Sequence, residues 1–297
     1  MINIINNEMV RVKRVTRELI LLFSIITSPA LMAQQNAATL DHIQSSSVLN
    51  VGYRQIPPFS FTDHNGKVTG YTIAVCNIIA DKLRLYLKLN TLTVHYIPVN
   101  FSERFSALNN RKIDMDCSVN TNAPERVSSV SFSVDYYIAK MRIISLRSNN
   151  IHSLNDLKGR TVSLPGSSKD LLEFNKANRE KHLNISTITT TTVDGAFNKM
   201  AQNESAAMFI DDILAYPLIQ HSEQPDSFSV SSETIGDEMH YAIMMRKNDP
   251  QFVGFVDNTL KNLFASPMNE QLRNKWLVPW SCKNINHQSA MSCQHHN

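Results

Sequence analysis

Apolar positions follow two periods along most of this chain. Val48 to Tyr53 and the β-branched run Thr91 to Pro98 read as strands. Between them Val75, Ile78, Ile79 and Leu83 recur at helical spacing. Pro57 to Phe61 reads as an extended loop, and Asp63-His-Asn-Gly66 as a turn. Phe101, Phe105 and Leu108 mark a short helix, and residues 113–118 a third strand. The order β-α-β-α-β predicts a mostly parallel sheet covered by helices.

The same pattern returns further on, without a detectable sequence repeat. Tyr137 to Leu146 is a long strand able to carry the chain into a second unit. Ser153 to Gly159 predicts one or two helical turns, with a serine start and a glycine stop. Arg160 to Leu164, Ile185 to Thr190 and Ala206 to Ile210 read as strands. Ser167 with Asp170 resembles a capping box opening a helix, and Ala196, Phe197 and Met200 mark another. Tyr241 to Met245 reads as a further strand, and Asp249-Pro250 as an N-cap with proline in the first helical position. Phe252, Phe255, Val256 and Leu263 share one helix face, and Leu272 and Trp276 anchor the last helix. The predicted fold class is α/β, with a polar, loose tail over 281–297.

Residues 1–33 have the layout of a secretory signal peptide. A basic stretch (Arg11, Lys13, Arg14, Arg17) precedes the apolar run Leu19 to Ile26, and Ala33 marks the expected cleavage. A start at Met9 instead of Met1 gives a more ordinary leader. The run is too short to span a bilayer unaided. Cleavage takes four basic and two acidic residues away, lowering the formal charge from +3 to about +1. A nearly neutral chain gives no electrostatic case for nucleic acid. Export implies an oxidising compartment in which disulfides persist. Cys282 with Cys293 closes a short loop and is the favoured bridge, while Cys76 and Cys117 sit in apolar contexts that suit core thiols. His287, His295 and His296 beside the tail cysteines fit no tight zinc spacing, so neither a metal nor a cofactor is expected.

Ligands of open α/β sheets bind beyond the carboxyl ends of the strands. Arg54 follows the first strand; Thr121 and Arg126 follow the third; Ser167 and Asp211 follow strands of the second unit; Arg104 lies on the short helix before the third strand. A guanidinium pairs with a carboxylate through two parallel charge-assisted bonds. Arg126, Thr121 and Ser167 therefore suit an α-carboxylate, and Asp211 an ammonium. Arg54 and Arg104, if they point inward, need a second carboxylate, because an unpaired buried charge is costly. Simpler roles compete: Arg104 as a surface partner of Glu103 or Asp114, Arg54 as a solvent-facing loop residue, Asp211-Asp212 as helix caps, Ser167 as a cap.

The stretches Val51-Gly-Tyr-Arg-Gln, Pro58-Phe-Ser-Phe61, Gly70-Tyr71, Asp114-Met-Asp-Cys-Ser-Val-Asn-Thr-Asn122, Glu125-Arg126, Phe132-Ser133, Asp156-Leu-Lys-Gly-Arg-Thr-Val162, Met208-Phe-Ile-Asp-Asp212 and Met245-Arg-Lys-Asn-Asp-Pro-Gln-Phe252 occur in this order over most of residues 38–278. As an ordered set they resemble the periplasmic solute-binding proteins of amino acid ABC transporters, glutamate/aspartate binders above all. The resemblance implies a two-lobed periplasmic-binding-protein fold of type II with two crossover strands. Lobe 1 would comprise residues 38–139 and 240–280, and lobe 2 residues 140–239. It implies that Arg126, Thr121 and Ser167 hold an α-carboxylate, Asp211 the ammonium, and Arg54 and Arg104 a side-chain carboxylate. Val119 and Val193 depart from it, standing where close relatives carry a serine and a histidine. The implied protein is a periplasmic monomer that binds glutamate or aspartate, catalyses nothing and delivers its ligand to a membrane permease. Two alternatives share the resemblance: a periplasmic dehydratase of small carboxylic acids, and a ligand-sensing module.

Overall fold

A computed structural model of the protein describes residues 38–280, apart from position 167. The expected leader (1–33) and the tail with Cys282, Cys293 and its histidines lie outside the described residues, as does Ser167. The chain begins with helix α1 (Thr39–Ser46) and strand β1 (Val48–Tyr53), then forms a hairpin of β2 (Phe61–Thr62) and β3 (Val68–Thr69) around the predicted turn. Helix α2 (Tyr71–Tyr86), β4 (Thr93–Pro98), α3 (Arg104–Asn109), β5 (Met115–Asp116) and β6 (Val130–Phe132) follow. Strand β7 (Tyr137–Leu146) carries the chain into a second sheet. There follow β8 (Thr161–Pro165), α4 (Lys169–Glu180), β9 (Ser186–Thr190), α5 (Val193–Ala201), β10 (Ala207–Asp211), α6 (Asp212–Gln220) and β11 (Phe228–Val230). Strand β12 (Ile235–Tyr241) leads back to β13 (Met244–Arg246), α7 (Pro250–Phe264) and α8 (Pro267–Trp276).

The first sheet has the order β4-β1-β5-β13-β6, with β1 parallel to β4 and β5, and β13 antiparallel to β5 and β6. The second has the order β11-β7-β10-β8-β9, with β12 also paired to β7. Each sheet is the floor of one lobe. Two segments join them, β7 outward and β12 back, lying antiparallel against each other. Every residue of β10 is buried, as a strand covered on both faces must be. The apolar stripe of α2 buries Val75, Cys76, Ile79 and Leu83. Where the crossover strands meet lobe 1, Phe59 packs edge-on against Tyr137 and Tyr241, with centroids 5.3 Å apart in each pair. Aromatic edges meeting faces in this way favour one geometry over others and so define the joint.

Two lobes and two crossover strands match the predicted architecture, but four local expectations need correction. Cys76 of α2 and Cys117 just after β5 are buried and bonded to each other, not free core thiols. The pairing was hidden because it depends on α2 lying over the sheet, a contact 41 residues apart in sequence. The predicted strand over 113–118 is paired only at Met115–Asp116. The apolar run from Tyr241 to Met245 belongs to two strands: β12 ends at Tyr241 in one sheet and β13 starts at Met244 in the other. Finally, α4 opens one residue later than a Ser167 cap predicts. Ser168 is the N-cap, and its Oγ accepts from the Leu171 amide at 3.1 Å.

Candidate ligand-binding cleft

Lobe 1 presents three guanidinium groups. Arg54 follows β1, and its Nη1 is 2.9 Å from Asp116 Oδ2 on neighbouring β5. Its Nη2 donates to the Val119 carbonyl and to Asn120 Oδ1, the latter at 2.9 Å. This arginine is buried, but it already owns a carboxylate. Arg104 opens α3 and is 2 % exposed, with its guanidinium 4.5 Å from the Phe105 centroid and 5.4 Å from that of Phe101. Burial, and then the charges of Arg54 and Arg126, push its pKa down to about 8. Desolvation disfavours the charged form first, and the neighbouring cations add to it. Arg126 ends a short 3₁₀ turn (Pro124–Arg126), and its Nη1 donates to the Thr121 carbonyl at 3.1 Å. Burial lowers the Arg126 pKa too. Thr121 is fixed in turn by an antiparallel bridge to Tyr241.

Lobe 2 answers with carboxylates. Asp211 closes β10, is 3 % exposed and accepts a hydrogen bond from the Tyr241 hydroxyl through Oδ2. Its Oδ1 has no hydrogen-bond partner among the described residues. A buried acceptor without a donor costs roughly 1–3 kcal/mol, which an incoming donor would relieve. Burial, reinforced by Asp170, holds the Asp211 carboxyl well above the usual range. Asp170, in the first turn of α4, is pushed up to about 7 by burial, against the pull of Arg126.

These groups surround one small cavity between the lobes. Of the sequence-predicted residues, Arg104, Thr121 and Arg126 line it from lobe 1 and Asp211 from lobe 2. Arg54 is not in its lining but stands behind it, on Asp116. Val119 and Val193 both face the cavity, beside Phe101, Ile56 and Leu214. Sequence reasoning missed Ser168, Lys169 and Asp170, which also line it. The signal was there: the first turn of a helix after a strand end presents its polar side chains to the space beyond the sheet. The cavity measures about 30 Å³, room for about two waters. An amino acid therefore enters only when the lobes part.

Residues 49–279 match the model for bacterial extracellular solute-binding proteins, family 3. The chain is 28% identical to the glutamate/aspartate import solute-binding protein of Salmonella typhimurium, over 84% of this chain and 83% of that one. It is 26% identical to the L-glutamate/L-aspartate-binding protein of Pseudomonas aeruginosa, over 90% and 89%. Among solved structures, an ancestral arginine-binding protein bound to arginine superposes with a TM-score of 0.69 at 26% identity, covering 77% of this chain and 98% of its own. The ancestral amino acid-binding protein AncCDT-1, a precursor of cyclohexadienyl dehydratase, gives 0.70 at 26% identity, covering 81% and 100%. A family match that takes in both lobes and both crossovers leaves one assignment: the chain belongs to the family 3 bacterial extracellular solute-binding proteins.

Proposed function

We propose that this protein is the extracytoplasmic receptor of an amino acid ABC transporter and that its ligand is an acidic amino acid, glutamate or aspartate. The observation that carries the reading is the meeting of Arg126 and Asp211 in one cavity from opposite lobes. Arg126, with Thr121, Ser167 and Ser168 (the N-cap of α4), takes the α-carboxylate. Asp211 Oδ1 takes the ammonium. Arg104, which lines the cavity beside Phe101 and Val119, takes the side-chain carboxylate, whose charge favours the guanidinium's protonated form. Arg54 supports that end indirectly, because Asp116 already neutralises it. The glutamate/aspartate relatives support the choice of ligand class.

Ligand captured by both walls holds the lobes together, in the manner of hinge closure around a fixed site. A membrane permease then recognises the closed form. Export through the 1–33 leader to the periplasm fits the Cys76–Cys117 bridge, which needs an oxidising compartment. A thermal-shift screen against the twenty amino acids tests the reading. Glutamate and aspartate should raise the melting temperature most, since a ligand of the folded state alone stabilises it. A larger shift with arginine or with a neutral amino acid contradicts the ligand class.

A second reading, dehydration of a small cyclic carboxylic acid, has one observation in its favour. Asp170, pushed up to about 7, is a cleft group able to move a proton near neutrality. Incubation with prephenate or arogenate, followed by product analysis, separates the two. Product formation that Asp170→Asn abolishes favours the enzyme.

A further inference from the structure

We propose that the turn carrying Arg126 also carries the closing contact of the two lobes, with Glu125 of lobe 1 gripping Lys169 of lobe 2. Lys169 Nζ lies 2.9 Å from Glu125 Oε1, across the gap between the lobes. The same ammonium lies 2.8 Å from Glu173 Oε1, one helical turn along α4. Lys169 is therefore held by its own helix and extended toward the other lobe. Glu173 is 5 % exposed and packs on the returning crossover strand at Gly236. Gly236 has φ +71°, and a Cβ there would lie 2.7 Å from Glu173 Oε2. Only glycine leaves room for the carboxylate at this point of the hinge. The contacts run in series: hinge strand, Glu173, Lys169, Glu125, and the backbone turn that presents Arg126 to the cavity.

The consequence is a coupling of capture and closure. A carboxylate on Arg126 fixes the Pro124–Arg126 turn, and the fixed turn holds Glu125 where Lys169 meets it. Burial acts to raise the Glu125 carboxyl, but the Lys169 hydrogen bond, a backbone hydrogen bond and the charges of Lys169 and Arg126 together outweigh it and hold it below the ordinary range. Glu125 is absent from the cavity lining, so it acts on ligand release by holding the lobes and not by touching the ligand.

The inference rests on the amino-acid reading of the cleft, and the test keeps the two apart. Lys169 is a poor first target, because its loss strands the buried Glu173. Glu125→Gln removes the contact between lobes and also a carboxylate charge near Arg126, and that second loss works toward tighter, not faster-releasing, carboxylate binding. With L-glutamate as the probe in stopped-flow experiments at low salt, dissociation should quicken about two- to fivefold, the range for a half-exposed ion pair. Association should be unchanged. Added salt should speed release from the wild type and not from Glu125→Gln. Glu125→Lys, which repels Lys169, should dissociate faster still. Small-angle scattering of the unliganded proteins should show Glu125→Gln more open than wild type. Equal dissociation rates and equal scattering would overturn the latch. Absence of amino acid binding by the wild type overturns the cleft reading instead, and scattering alone then decides the latch.

Discussion

Tyr241, the last residue of the returning crossover strand, donates its hydroxyl to Asp211, the last residue of β10. The bond ties the hinge to the carboxylate proposed for the ligand ammonium and leaves the other carboxylate oxygen open. It also opposes burial by lowering the pKa of Asp211. In Tyr241→Phe the carboxylate should lose orientation and protonate more readily. Hydrogen bonds to charged groups contribute about 1.5–3 kcal/mol, so glutamate affinity should fall between about tenfold and a hundredfold by calorimetry. An unchanged affinity would remove Tyr241 from the account.

Arg126→Ala should eliminate measurable binding of any α-amino acid. Removing one partner of a buried charge pair costs about 2–5 kcal/mol or more. The check is the loss of all ligand-induced thermal shift, with near-UV circular dichroism showing the fold retained. Arg104→Ala should weaken glutamate more than glutamine, because only the acidic side chain needs that guanidinium. Equal losses for both ligands would contradict the role given to Arg104.

The pH dependence follows from the raised carboxyls. Asp170 has a folded pKa of about 7 against an ordinary value of 3.8. The folded state therefore binds more protons between those values, and stability falls as pH rises through them. The contribution of Asp170 is complete below about pH 4 and lost above about pH 7. Without ligand, the melting temperature of the wild type should drop relative to Asp170→Asn between pH 5 and pH 8. Glutamate affinity should move the other way and weaken as the pH is lowered, because a protonated Asp211 cannot neutralise an ammonium. A melting-temperature difference independent of pH would refute the raised Asp170.

The disulfide makes a separate prediction. Cys76 and Cys117 enclose a loop 41 residues apart in sequence, and chain entropy assigns such a crosslink about 4 kcal/mol. Cys76→Ala with Cys117→Ala should lower the denaturant midpoint accordingly, with little effect on ligand specificity. Midpoints that coincide under oxidising conditions would contradict the bridge.

Much of the fold was legible because β8 and β10 are short and buried, β4 and β9 are rich in β-branched residues, and helices such as α2 and α7 carry clear apolar stripes. The α2 stripe and the Asp249-Pro250 start of α7 needed no tertiary information. The return crossover was not legible: β12 reads Ile235-Gly-Asp-Glu-Met-His-Tyr241, with three consecutive exposed positions and a register shift that break any period. At the site, residue types and strand ends located Arg126, Thr121, Arg104 and Asp211. Two features lay beyond sequence. That Asp116 neutralises Arg54 is a matter of which strand is neighbour to β1. That Asp170 reaches the cavity depends on the first turn of α4 facing the opposite lobe.

The central claim is that a cleft with two arginines in its lining and an open Asp211 oxygen selects an acidic α-amino acid. Isothermal titration of the mature protein with glutamate, aspartate, glutamine and arginine under one condition tests it most directly. The account predicts binding of glutamate or aspartate near −8 kcal/mol, about micromolar, at least tenfold tighter than glutamine or arginine. Tighter binding of arginine or glutamine, or no heat from any of the four, would contradict it.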